Sequence, residues 1–197
     1  MMTRRTLLTC LTASPLLNAA AWERRPYPEW DASLRDKLLT DSPWARQVSV
    51  RYEFVLAVGD APAHTEAELT IRWASALPIR RAMAQEWPAE GDKPEPAEYI
   101  ITVSGFPQNT TPRGARWLEA QILDSAYLTV KGQRSRKATA AYVPPHGTHL
   151  TAELRFPKDP LLHEDDGTVE FTAQAGNFRI AQKFALRKMI YEGQLAL

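Results

Sequence analysis

From Gln47 to Val58 the chain alternates without a break. Val48, Val50, Tyr52, Phe54, Leu56 and Val58 fall on one face, with Gln47, Ser49, Arg51 and Glu53 on the other. A period of two is the signature of a strand that buries one face and wets the other. The stretch 66–74 repeats it, setting Ala67, Leu69, Ile71 and Trp73 against Glu66, Glu68, Thr70 and Arg72. The linker around Gly59-Asp60 and Pro62 suits a hairpin between the two. Further strands are predicted at 99–103, 126–131, 138–143, 149–156, 168–174 and 178–185. In 149–156 the inward residues are Leu150, Ala152, Leu154 and Phe156, while Asp166-Gly167 and Gly176-Asn177 mark turns.

Three stretches follow a helical period instead. Trp30, Leu34 and Leu38 are four apart, one face of a short amphipathic helix that Ser42-Pro43 ends before Trp44 leads into the first strand. Ile79, Met83 and Trp87 share that spacing after Pro78, and 88–98 reads as an exposed loop. Thr111-Pro112 has the chemistry to cap and open a helix carrying Leu118 and Ile122. About eight strands, one to three short helices and no βαβ alternation predict a mainly β fold, an antiparallel sandwich or barrel-like arrangement.

The opening residues break the pattern. Arg4 and Arg5 precede an uncharged run holding Leu7, Leu8, Leu11, Leu16 and Leu17, which ends in Ala19-Ala20-Ala21. A charged start, a short apolar middle and an Ala-x-Ala end are the parts of a secretory signal, with cleavage expected after Ala21. Thr3-Arg4-Arg5-Thr6-Leu7-Leu8 resembles the twin-arginine form of that signal, the alternative being an ordinary Sec signal that carries two arginines. The run is too short, and too interrupted by Pro15, for a membrane span. The expected organisation is a signal at 1–21, an N-terminal arm at 22–46 and one β-rich domain at 47–197, in a periplasmic or secreted protein. Loss of Arg4 and Arg5 moves the formal net charge from +1 to −1, which gives nucleic acid no general attraction. Cys10 is the one cysteine, so the mature chain is expected to lack disulfides and thiolate ligands.

Candidate chemistry is sparse. His146 and His149 follow Pro144-Pro145, and His163 and Asp165 lie in a second loop. Imidazole and carboxylate ligands would close a metal site if the two loops met, but the histidines lack the i, i+4 spacing of a helical zinc site. Ser104 follows a predicted strand without a G-x-S-x-G elbow, and reads as a strand-end residue before a turn at Gly105. No glycine spacing matches a phosphate-binding or dinucleotide loop, so no cofactor is expected. Lys131, Arg134, Arg136 and Lys137 fall in one hairpin loop and read as a solvated basic loop, since no aromatic residue lies among them to stack on a base. Trp30 and Trp73 lie on the apolar faces of their segments, which makes them core rather than a sugar-stacking platform.

Pro43-Trp44-Ala45, the segment from Arg72-Trp73 to Pro78, and the ending from Lys183 to Leu197 together resemble a group of short exported acidobacterial proteins of unknown function. The shared residues are apolar and structural, and the resemblance implies no activity, cofactor or site residue. The leading expectation is an exported, non-enzymatic β-domain that binds or scaffolds an envelope protein or polysaccharide. The alternative is a hydrolase whose His/Asp site is assembled from loops. Seven large apolar side chains lie between Phe184 and Leu197. That density predicts that the chain's end packs across the sandwich, with Tyr191 and the leucines buried.

Overall fold

The alternating stretches pair as antiparallel ladders. In the computed structural model, which describes residues 21–54, 63–84, 93–107, 112–144 and 149–197, β1 (Ala45–Phe54) pairs with β2 (Ala63–Trp73) over ten residue pairs. Next come β3 (Glu98–Pro107), β4 (Tyr127–Val130), β5 (Arg136–Lys137), β6 (Ala140–Tyr142), β7 (His149–Pro157), β8 (Thr168–Ala175) and β9 (Phe178–Ala185). One sheet has the order β1-β2-β3-β7-β6 and the second β5-β4-β8-β9, while β10 (Ile190–Tyr191) and β11 (Gln194–Leu195) form a separate hairpin. Every pairing is antiparallel.

The fold is mainly β, as the periodicity predicts, and its sheets do not close into a barrel. Leu69, Ile71, Trp73, Ile101, Val103, Leu154 and Phe156 of the first sheet are fully buried, as are Leu128, Val169 and Phe171 of the second. Aromatic pairs join the sheets edge to face, Trp73 with Phe184 at 5.7 Å and Phe156 with Phe171 at 6.3 Å. Eleven strands lie among the described residues, more than the roughly eight predicted, because three are two-residue pieces. The strand predicted at 138–143 is β6, confined to Ala140–Tyr142. The chain leaves the second sheet after β5 and joins the first at β6, with Ala138 N–H bonded to Ala126 and Thr139 N–H to Arg155.

Four helices lie among the described residues, more than the one to three expected: α1 (Ala21–Arg24), α2 (Ala32–Thr40), α3 (Leu77–Met83) and α4 (Pro112–Ser125). Asp31 caps α2 by accepting the Leu34 N–H at 2.8 Å, and the Ser42 hydroxyl closes it on the Leu38 carbonyl. Leu34 and Leu38 are buried as the spacing requires. In α3 the buried residues are Pro78, Ile79 and Ala82, whereas Met83 is 56% exposed, so the apolar face follows an i, i+3 step rather than the predicted i, i+4. Trp87 lies outside the described residues. The helix from Pro112 is fourteen residues long and buries Ala115, Leu118 and Ile122. No helix among the described residues is long and apolar enough to cross a membrane.

Gly105 is not a turn. It sits within β3 at a bulge against β7, with φ 101°. A Cβ there would stand 2.2 Å from the Glu68 carbonyl oxygen, so close approach of two backbones requires the glycine. The chain's end buries Leu186, Met189, Tyr191 and Leu197, with Leu195 half-buried. It does not cross the sandwich, however. It folds back as the β10–β11 hairpin against the N-terminal arm, where Trp44 Nε1 donates to the Ala196 carbonyl at 2.7 Å. Trp22, Trp30, Leu34, Leu38 and Trp44 belong to the same buried cluster as the sheets.

Candidate functional site

A groove of about 760 Å³ lies between the arm and the C-terminal hairpin. Its volume falls in the range of small-ligand sites, about 300–1,000 Å³. The arm contributes Trp22 to Pro28, α3 contributes Arg81, and the hairpin contributes Ile190 to Gly193. Prolines at 26 and 28 hold the arm extended around a single 3-10 turn, Tyr27–Glu29. Trp30 fixes that turn by donating its indole N–H to the Arg25 carbonyl at 3.0 Å. Behind the groove the rings meet edge to face: Trp22 with Trp44 at 6.0 Å, Tyr27 with Trp30 at 5.6 Å, Trp30 with Tyr191 at 6.1 Å. Edge-to-face pairs orient the ring quadrupoles favourably and lock each side chain in place.

Arg81 is the centre of the arrangement. Its guanidinium carbon lies 5.5 Å from the ring centroids of both Tyr27 and Tyr191. Nη1 donates to the Tyr191 hydroxyl at 2.9 Å and to Glu192 Oε1 at 2.5 Å. The Arg81 side chain is 18% exposed, against 59% for Glu192. Burial pushes the Tyr191 phenol above its ordinary value, and the Arg81 hydrogen bond opposes this only in part. Tyr191 is therefore a neutral phenol across the physiological range. Arg24 and Arg25 are exposed on the same rim, with Arg25 paired to Asp31 at 3.1 Å, and Glu23 lines the groove beside them. Three guanidinium groups, two tyrosine rings and two carboxylates thus meet in one open site.

The residues singled out from the sequence lie elsewhere. His149 is the exposed first residue of β7, while His163 and Asp165 follow the strand's other end. Nine residues of β7, roughly 26 Å, separate the two loops, and the structure does not bring them together. The His163 backbone N–H donates to Asp166 at 2.8 Å, and Asp165 faces Arg187 at 3.4 Å. No group of three or more His, Cys, Asp or Glu that could hold a metal occurs among the described residues, and His146 lies outside them. Arg4, Arg5 and Ala19 also lie outside them, and Ala21 is the first residue of α1. Ser104 is in mid-strand, not at a strand end, and its hydroxyl receives Arg72 Nη1 at 3.4 Å.

The basic loop is only partly solvated. Lys131 and Arg134 are exposed and Lys137 pairs with Asp124 at 2.9 Å, but Arg136 is buried. Its Nη2 donates to the Pro160 carbonyl at 2.8 Å and to Gln133, whose amide in turn donates to Asp166 at 2.7 Å. Burial of an arginine leaves no mark in a hydropathy pattern, which counts it as polar. Trp117 was also unmarked: it is 52% exposed, unlike the buried tryptophans at 22, 30, 44 and 73. For the groove, the one available signal was the turn-forming Gly193 after the apolar run Met189-Ile190-Tyr191. No protein-family model matches this chain, and no curated protein or solved structure matches it either.

Proposed function

We propose that the chain is an exported, non-enzymatic β-domain that binds a component of the cell envelope, and that the groove between arm and hairpin is its contact site. The observation behind this reading is the Arg81 arrangement: a guanidinium held between two tyrosine rings in an open groove of ligand size. Aromatic and arginine side chains dominate binding energetics where they are rigidly placed. The ionisable groups there suit recognition better than proton transfer. Arg81 is ion-paired, and Tyr191 is moved away from neutral pH rather than towards it. The twin-arginine-like leader supports an extracytoplasmic location, and the near-neutral mature charge favours an envelope protein or polysaccharide over nucleic acid.

The test is capture from an envelope fraction by tagged protein, comparing the native sequence with the Arg24→Glu/Arg25→Glu variant. A component retained by the first and lost by the second supports the groove as the site. Equal capture by both sinks it. Hydrolysis of an envelope substrate that disappears in His149→Ala or His163→Ala would replace the binding reading with the hydrolase alternative.

A further inference from the structure

Glu192 has a backbone that glutamate does not choose. Its φ is 52°, making it the one non-glycine residue with positive φ among the described residues, and Gly193 follows at 77°. A two-residue hairpin turn with both angles positive is ordinarily filled by Asn, Asp or Gly at its first position. Backbone strain of this kind concentrates where a side chain has to be aimed. Here the aimed group is a carboxylate, and it meets Arg81 between the two tyrosine rings.

We infer that the groove takes a carboxylate-bearing saccharide chain, and that Glu192 holds the place of the ligand's carboxylate until it arrives. The inference rests on the binding reading above and names its ligand class. Arg81 presents a planar fork that matches a carboxylate. Glu192, one of its partners, is 59% exposed and can turn to water, so exchanging that carboxylate for another costs little. Arg24 and Arg25 line the same groove, so a chain with repeated carboxylates meets more than one guanidinium. A peptide C-terminus brings a single carboxylate and engages only one of these guanidinium groups. Tyr27, half-buried where it lines the groove, offers an aromatic surface of the kind on which the C–H face of a sugar ring packs.

The experiment is calorimetric titration of the purified full-length chain with hexagalacturonate, neutral maltohexaose and hexaglutamate. Hexagalacturonate is expected to bind, with maltohexaose at least about tenfold weaker. Glu192→Gln removes the competing charge and should tighten hexagalacturonate about two- to fivefold, as expected for loss of an exposed ion pair. Arg81→Gln should weaken it at least as much. Glu192→Gly suits the left-handed backbone, and repeats the test if the glutamine variant folds poorly. Unchanged or weaker binding in both Glu192 variants overturns the place-holder. Binding of hexaglutamate in preference to the saccharide replaces the ligand class with an acidic peptide. Failure of all three ligands, while envelope capture still depends on Arg24 and Arg25, overturns the carboxylate inference and leaves the binding reading standing.

Discussion

The two ends of the sandwich are built on different principles. At the closed end, Trp22, Trp30, Trp44 and Tyr191 converge from both extremes of the described chain, and the Trp44–Ala196 hydrogen bond spans 152 positions. Each of Trp30, Trp44 and Tyr191 has its polar atom engaged. At the opposite end, a two-residue turn, Gly176-Asn177, joins β8 to β9, and Trp117 of α4 lies over the glycine while half exposed. Tyr52 stacks there on Phe178 at 4.5 Å, both rings half-buried. One end is held by buried, hydrogen-bonded rings that leave a groove between them. The other is held by a local turn with an aromatic lid that is not structurally committed on both faces. Aromatic content alone does not separate these roles; burial and hydrogen bonding do.

Truncation after Lys188 should break the comparison most severely. It removes Met189, Tyr191 and Leu197, each buried, at about 1.5–3 kcal/mol per large apolar side chain. It also strips the cover from Trp44 and Trp30, and the total approaches a typical domain stability of about 5–15 kcal/mol. The truncated chain is expected to be insoluble or to lack a cooperative thermal transition by circular dichroism. A melt near that of the full chain would mean that the hairpin is an accessory.

Single substitutions sharpen the contrast. Trp44→Ala at the closed end should cost about 3–5 kcal/mol in urea denaturation, because the ring is wholly buried. Trp117→Ala at the other end should cost about 1 kcal/mol or less, as half of that ring already faces water. Equal costs would erase the distinction between the two ends.

A smaller effect is expected for Gly176→Ala. The residue has φ 56°, and a Cβ there would lie 2.7 Å from Trp117 Cη2. Left-handed backbone at a non-glycine residue costs about 1 kcal/mol, and displacement of the indole adds to it. In a double-mutant cycle, Trp117→Ala should relieve the displacement and leave the backbone cost. Full additivity would show that the ring does not rest on the turn.

The smallest effect is alkaline. Burial raises both Tyr99 and Tyr191 above their ordinary value of 10.0. A folded-state value above the unfolded one means that the fold holds the phenolic proton more tightly. That stabilisation is complete below the unfolded value and is lost as pH rises through the folded one. Urea midpoints should therefore fall above about pH 10. Tyr191→Phe should flatten part of that fall while leaving the Tyr99 part, and an unchanged pH profile in the variant would remove Tyr191 from the account.

Much of the fold was legible because strand periodicity reports directly on which face of a segment is buried. The strands containing Leu69-Ile71-Trp73 and Leu150 to Phe156, and the Gly176-Asn177 turn, all follow from local pattern. The candidate site was not legible. Arg81, Tyr27 and Glu192 come from three elements, and nothing in the spacing of any one element points at the other two. The histidines drew attention because imidazole is chemically versatile, yet His149 opens the nine-residue strand β7 and His163 lies beyond its other end.

The sequence by itself determined the β class, the alternation of buried and exposed faces, the helical face of Leu34 and Leu38 and the burial of the chain's end. These are properties of a segment and its period, set by backbone geometry and by the gain from removing apolar surface from water. Only the tertiary structure decided that the chain crosses from the second sheet to the first between β5 and β6, that Arg136 is buried against Pro160, and that Trp117 is exposed while the tryptophans at 22, 30, 44 and 73 are not. It alone also decided that the N-terminal arm and the C-terminal hairpin meet around Arg81. Such outcomes depend on which segments come together, and that choice is made by contacts between residues far apart in the chain. A pattern read within one segment contains no information about them.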